Sequence, residues 1–215
     1  PLSSSSAASD VYKRQVYNLV DALAGYRTTV FRNTVSVEEV LAAQPTLIVL
    51  SPGPGHPRDA GTMMQLIDVT LGRTPILGIC LGFQALLEHF GATVAPCGPV
   101  HGASVPMTLT DDGSRHPIFR GLTTDSEPDK PDYVGRFVPV ARYHSLGSTA
   151  VPGAMRSLAT TETEAGPVIM AAETRDGTAL GLQFHPESVL TPSGPLIVAR
   201  CIHQLSVQPT FKDSY

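Results

Sequence analysis

An α/β fold is predicted, with an open, mostly parallel β-sheet, helices on both faces and a small antiparallel sheet in the second half. Two apolar runs, Thr46–Leu50 and Pro75–Ile79, lack polar alternation, as strands buried on both faces of a parallel sheet require. Apolar residues at helical spacing follow both runs, and this alternation of strand and helix is typical of a parallel sheet. The second half contains short β-prone runs separated by turns, which predict the antiparallel part.

Local patterns predict the individual elements. A helix is predicted over Tyr17–Ala24 with a stop at Gly25, and a short β-branched strand is predicted over Thr28–Phe31. Ser36 and Glu39, three residues apart, predict a capping box at the start of a helix that runs to about residue 43. The other predicted helices are Thr62–Leu71, Leu81–Phe90 and Pro195–Leu205. The other predicted strands are Val105–Leu109, Phe137–Ala141, Met155–Thr160, Val168–Ala172 and Ala179–Gln183.

Composition restricts the class of protein. A chain of 215 residues suits one α/β domain, and 42% hydrophobic and 16% charged residues are ordinary for a globular protein. The net charge of -4, without a basic block, argues against nucleic acid as a partner, and no apolar run is long enough to span a membrane. The widely spaced Cys80, Cys97 and Cys201 argue against a disulfide framework and a zinc site, and favour a reduced, cytoplasmic setting.

The N-terminal residues differ from the rest of the chain. Residues 1–15 are predicted to be a non-native extension, because Ser5–Gln15 resembles the in-frame translation of a transposon-based sequencing adapter. A natural disordered tail is the alternative. Residues 16–207 are predicted to form the folded domain, and residues 208–215 a tail. A doubly wound sheet begins with a strand, and none precedes the helix at Tyr17, so we expect the domain to lack its first strand.

A glycine-flanked cysteine marks a candidate nucleophile. Gly78–Gly82 has the form G-x-C-x-G between a predicted strand and a predicted helix, which is the context of a nucleophile elbow. The helix dipole favours a thiolate at Cys80, and the backbone N–H of Leu81 would point to a developing oxyanion. A buried structural cysteine in a glycine-rich turn is the alternative.

A second segment supplies a candidate base. Gly181–Glu187 ends a predicted strand with His185 and Glu187 two residues apart. His185 could take the proton from Cys80, and Glu187 could orient the imidazole through its other nitrogen. The alternative for an isolated His-Pro-Glu is a turn that ends a strand.

Five motifs together carry a resemblance to a known family. Gly78–Gln84 and Gln183–Ser188 resemble the two signatures of class I (triad) glutamine amidotransferases, and Leu50–Gly55 resembles the loop that completes their oxyanion hole. Ala141–Leu146 and Val189–Gly194 narrow the resemblance to the glutaminase subunits of anthranilate synthase and of 4-amino-4-deoxychorismate synthase. The resemblance implies a flavodoxin-like fold.

The resemblance also implies a role for individual residues. Cys80 would be the nucleophile, His185 the base and Glu187 the group that orients it. The residues that would bind glutamine or its oxyanion are Gly53, Pro54, Gly55, Leu81, Gln84, Tyr143, His144, Ser145 and Leu146.

The implied reaction is hydrolysis of glutamine to glutamate and ammonia. The ammonia would pass to a chorismate-binding partner, anthranilate synthase component I, in tryptophan biosynthesis. No cofactor or metal is expected on this chain. Three alternatives stay open, namely the equivalent subunit for folate synthesis, a truncated docking module without catalysis, and a cysteine peptidase with the same triad.

Overall fold

The computed structural model describes residues 15–98, 102–127, 129 and 134–207. The predicted extension at residues 1–15 therefore lies outside the described residues except for Gln15, which is buried and belongs to the first helix. The predicted tail at residues 208–215 also lies outside them. Within the described parts of the chain, no helix is both long and apolar enough to cross a bilayer.

Strands and helices alternate through the first half of the described chain. The strands, β1 to β9 in chain order, are Ile48–Leu50, Ile76–Ile79, Ala95–Pro96, Ala103–Leu109, Phe137–Arg142, Leu146–Gly147, Met155–Thr163, Gly166–Thr174 and Ala179–Leu182. The α-helices, α1 to α6, are 15–22, Val37–Ala42, Met63–Thr70, Leu81–His89, Asp111–Arg115 and Gly194–Ser206. Single 3-10 turns cover Pro57–Asp59 and Pro117–Phe119.

The main sheet has seven strands in the order β1-β2-β9-β8-β7-β4-β5. Strands β1, β2 and β9 are parallel, and the remaining strands continue the same sheet in antiparallel pairing. Strands β3 and β6 form a separate, small antiparallel sheet. The predicted α/β fold with an added antiparallel sheet is confirmed, and all five strands predicted for the second half join the main sheet.

Helices cover both faces of the parallel strands. Leu77 of β2 shares a core cluster with Leu19 of α1 and Ile197 of α6. Ile76, the preceding residue, belongs to a second cluster with Ile67 of α3. Neighbouring residues of one strand point to opposite faces of a sheet, so the uninterrupted apolar run fills two cores at once.

The predicted strand at Thr28–Phe31 is wrong. Residues 27–32 are exposed and form no strand, and Val30 is 61% exposed. Strand β1 ends the sheet, and no strand of the described structure pairs with this segment. β-branched residues favour a strand only where a hydrogen-bonded neighbour and a surface to pack against are available.

The capping box predicted at Ser36 is confirmed. The Ser36 hydroxyl accepts a hydrogen bond from the Glu39 N–H at 3.2 Å, and the Glu39 carboxylate accepts one from the Ser36 N–H at 3.0 Å. Two N–H groups that the helix itself leaves without a partner are thereby satisfied.

Candidate active site

Cys80 lies at the junction between β2 and helix α4. Its backbone has φ 52° and ψ -102°, a region that residues with a side chain rarely adopt. The Cys80 N–H donates to the Leu182 carbonyl of β9 at 2.8 Å, so the neighbouring parallel strand holds the turn in place. Cys80 as a residue is 5% exposed. A strained residue at the C-terminal end of a parallel strand is the geometry of a nucleophile elbow.

Close packing explains the second glycine of the motif. A Cβ atom on Gly82 would lie 2.3 Å from the backbone carbonyl oxygen of Leu50 in β1. The first turn of α4 can therefore approach β1 only because residue 82 has no side chain. The sulfur of Cys80 is thus held at the helix N-terminus by steric fit with the sheet.

His185 and Glu187 form a buried pair. The Glu187 carboxylate accepts a hydrogen bond from Nδ1 of His185 at 2.6 Å, and both side chains are fully buried. This bond assigns the Nδ1 proton and directs Nε2 away from Glu187. Nε2 is buried, and the Cys80 side chain interacts with the imidazole in addition to Glu187. Nε2 can therefore exchange a proton with a group that reacts at Cys80.

The charge state of His185 depends on its neighbours. Burial lowers the pKa of His185, but the nearby Cys80 and the hydrogen-bonded Glu187 outweigh this and raise the pKa to about 10. Cys80 therefore lies close enough to interact electrostatically with the imidazole. A protonated His185 at neutral pH is the form that can donate a proton to a leaving group.

Removing the Cys80 sulfur is expected to lower the pKa of His185. In Cys80→Ala the contribution of the thiol is absent, while burial still disfavours the imidazolium. Histidine titration by NMR would measure the change, with Cys201→Ala as a control that removes a remote buried thiol. Because the native pKa is raised, protonated His185 stabilises the fold below its unfolded pKa of about 6.5, and this contribution is lost as the pH rises towards about 10. A native His185 that titrates near 6.5 would contradict this account.

Backbone contacts fix the position of the His185 segment. The Thr191 hydroxyl donates to the His185 carbonyl at 2.7 Å and accepts from the Ala141 N–H at 2.8 Å. The His185 N–H donates to the Ala141 carbonyl at 3.1 Å. The Tyr143 ring contacts the imidazole edge-on with centroids 5.2 Å apart, and its hydroxyl lies 3.1 Å from that of Ser188. Strand β5 and Thr191 together therefore hold the imidazole in place.

Gln84 and His144 support the predicted glutamine-binding segment. The Leu146 carbonyl accepts hydrogen bonds from Gln84 Nε2 at 2.9 Å and from His144 Nδ1 at 2.8 Å. Burial and the positive charge of nearby Arg142 lower the pKa of His144 to about 3, so the imidazole is neutral. Both lone pairs of the Leu146 carbonyl are thus used within the protein. Ser145 is exposed beside this bond.

The loop after β1 is attached to helix α4. Gly53 lies so close to Leu81 that a Cβ atom on it would be 2.8 Å from the Leu81 side chain. Glu88 of α4 accepts from Arg58 Nε at 3.1 Å and lies 3.3 Å from His56 Nε2. Helix α4 therefore carries both the N–H groups that follow Cys80 and the carboxylate that holds the loop.

Most of the predicted site residues are linked by direct contacts around Cys80. The other three, Pro54, Gly55 and Ser145, are exposed. Sequence reasoning gave no role to Gln183 or Thr191, although both lie within recognised motifs. The linked residues are Gly53, Leu81, Gln84, Tyr143, His144, Leu146, His185 and Glu187.

The other two cysteines are separate from the candidate nucleophile: Cys97 Sγ lies 3.7 Å from His144 Nδ1 at the edge of this arrangement, and Cys201 lies on helix α6. Burial raises the pKa of Cys97 against the effect of Arg142, and burial also raises the pKa of Cys201. Both thiols are therefore poor nucleophiles at neutral pH. Across the described chain, no group of three His, Cys, Asp or Glu side chains is placed to hold a metal ion.

Comparison with known proteins identifies the family. The family model "Glutamine amidotransferase class-I" matches residues 7–205. This chain belongs to the class-I glutamine amidotransferases. A family member from Corynebacterium glutamicum named anthranilate synthase component 2 is 62% identical over 192 residues, which cover 88% of this chain and 92% of that protein. A protein of the same name from Halobacterium salinarum is 37% identical over 196 residues, which cover 86% of this chain and 90% of that protein.

Solved structures agree on the fold. A crystal structure of a glutamine amidotransferase from Methylobacillus flagellatus superposes with a TM-score of 0.62 at 16% identity. The match covers 92% of this chain and 93% of that chain. The amidotransferase family and the fold expected from the five motifs are thus confirmed.

Proposed function

We propose that this chain is the glutamine-hydrolysing subunit of anthranilate synthase, with Cys80 as nucleophile, His185 as proton carrier and Glu187 as the residue that orients it. The observation that carries the proposal is the strained Cys80 at the end of β2, within electrostatic reach of the buried His185–Glu187 pair. The pathway is supported by the 62% identity to a protein named anthranilate synthase component 2.

The first half-reaction forms a thioester. The Cys80 thiolate attacks the carbon of the glutamine side-chain amide, and the oxygen of that amide becomes an oxyanion. The N–H of Leu81, at the start of α4, and the loop that contains Gly53 stabilise this charge. His185 then donates its proton to the amide nitrogen, the C–N bond breaks, and ammonia leaves.

The second half-reaction releases glutamate. Neutral His185 takes a proton from a water molecule, which attacks the thioester carbonyl carbon. The C–S bond breaks and releases the Cys80 thiolate, the new carboxylic acid of glutamate gives its proton to solvent, and the Cys80–His185 pair returns to its starting charge state. Glu187 remains ionised throughout and holds the imidazole in the orientation that serves both steps.

Glutamine is bound between the loop after β1 and the segment before β6. Because the Leu146 carbonyl is already occupied by Gln84 and His144, its N–H and side chain are the parts of this residue left for the substrate. Ser145 is exposed and provides a hydroxyl. The remaining proposed substrate contacts are Gly53, Pro54, Gly55, Leu81, Gln84, Tyr143 and His144.

The test is product formation with a chorismate-binding anthranilate synthase component I. We expect the mixture to make anthranilate from chorismate with glutamine or with ammonia, while component I alone uses only ammonia. Anthranilate fluorescence measures the product. A folded chain that never supports the glutamine-dependent reaction would refute the proposed partner. Product only with the synthase subunit of 4-amino-4-deoxychorismate synthase would assign the chain to folate synthesis instead.

A further inference from the structure

A buried amide lies against the sulfur of Cys80. Gln183 directly follows strand β9 and is fully buried. Its Nε2 atom is 3.7 Å from Cys80 Sγ, within hydrogen-bonding distance for sulfur. Its backbone N–H donates to the Met170 carbonyl of β8 at 2.9 Å, so the residue is fixed at both ends.

The network determines which end of the Gln183 amide faces the sulfur. The Leu146 carbonyl can only accept hydrogen bonds, so the Gln84 atom 2.9 Å from it must be the amide nitrogen. The same nitrogen lies 3.2 Å from the Gln183 side chain, which must therefore accept through Oε1. The other end of the Gln183 amide, its NH₂ group, is consequently the part that faces Cys80.

We infer that Gln183 is a further catalytic residue that donates an N–H to the Cys80 thiolate, and that Gln84 is a positioning residue that fixes the orientation of the Gln183 amide. The inference rests on the proposed glutamine hydrolysis. Cys80 is only 5% exposed, so its thiolate has little access to water and a donor from the protein replaces the lost hydration.

The same network connects the nucleophile with the substrate-binding segment. From Cys80, the hydrogen bonds lead through Gln183 and Gln84 to the carbonyl of Leu146 in β6. His144 donates to that carbonyl as well. A shift of β6 away from α4 would therefore release the Gln183 amide and remove the donor from the sulfur. The thiolate is most stabilised when the glutamine-binding segment is in place.

The pH dependence of Cys80 alkylation tests the inference without a partner subunit or glutamine. The full-length chain is treated with iodoacetamide from about pH 5 to pH 10, and mass spectrometry follows the peptide that contains Cys80. In Gln183→Glu the side chain keeps its shape and can still accept from Gln84, but it presents an oxygen to the sulfur. We expect the alkylation midpoint, which belongs to the Cys80–His185 pair, to rise by about one pH unit or more.

Gln183→Met and Gln84→Met separate the two roles. The first variant removes the donor to Cys80, and we expect a smaller upward shift and a lower kcat for glutamine hydrolysis. The second leaves the Gln183 amide without its orienting partner, so we expect an upward shift together with a raised KM. Leu180→Ala, a buried change in β9 outside the site, controls for loss of stability.

The outcomes distinguish this inference from the proposed function. A midpoint in Gln183→Glu within about 0.2 pH unit of the native value would overturn the inference, whatever the activity. An equal shift in Leu180→Ala, at matched thermal stability, would also overturn it. If Cys80 is alkylated as expected but glutamine is not hydrolysed, the proposed function fails while the role of Gln183 as a donor to the sulfur stands.

Discussion

Replacing Cys80 by serine is expected to lower glutamine-dependent product formation by at least about 10⁴-fold. A serine hydroxyl is far less acidic than a thiol and therefore a much weaker nucleophile towards the amide carbon. The strained backbone at residue 80 and the hydrogen bond to Leu182 remain, so the fold is retained. The rate of anthranilate formation with component I and glutamine measures the loss.

Two controls make the Cys80→Ser result specific. The ammonia-dependent reaction should be unchanged, because it uses only the partner's chemistry. Cys201→Ala removes another buried thiol, on helix α6, and should retain glutamine-dependent activity if the protein remains folded. If Cys80→Ser kept more than about one tenth of the native rate, the nucleophile would have to be another residue.

Gly82→Ala is expected to destabilise the protein by about 3 kcal/mol, enough to remove much of the stability of an ordinary domain. Helix propensity alone predicts that Gly82→Ala would stabilise the protein, since alanine is favoured over glycine inside a helix by about 1 kcal/mol. The added Cβ would lie 2.3 Å from the Leu50 carbonyl oxygen, and neither backbone can move without disturbing the sheet. We expect the steric effect to outweigh propensity.

Urea denaturation measures this effect, and the chain offers a matched control. A Cβ atom on Gly153 would meet no heavy atom within 4 Å beyond its immediate chain neighbours, and the backbone there is not left-handed. Gly153→Ala should therefore change the free energy of unfolding by less than about 0.5 kcal/mol. A Gly82→Ala protein as stable as the native one would show that α4 does not depend on contact with β1.

Signals that lie within one segment were sufficient to predict much of the fold and the site. The Ser36 capping box depends on two side chains three residues apart, and both residue types and their spacing can be read directly from the sequence. The same holds for the glycine-flanked Cys80 and for the His185–Glu187 pair, which needs only a turn at one end of a strand. Such features do not depend on how distant parts of the chain pair.

Features that depend on distant partners could not be predicted in the same way. The β-branched Thr28–Phe31 segment looks like a strand, yet strand formation requires a neighbour that the segment itself does not specify. The contact between Gln183 and Cys80 joins residues 103 positions apart. A glutamine in an apolar run gives no sign of which atom it will contact, so its role became visible only in three dimensions.

The outer side of β1 also affects how the protein behaves in concentrated solution. Three residues, Ile48–Leu50, end the sheet there, and Val30 and Phe31 are exposed at 61% and 38%. Unpaired backbone groups on an edge strand can join the edge strand of a second molecule, and natural proteins usually block such edges with charge, proline or a covering element. In the described chain, β1 has neither charge nor proline within its own three apolar residues. We therefore expect light scattering to detect more self-association as the protein concentration rises, independently of the chemistry at Cys80.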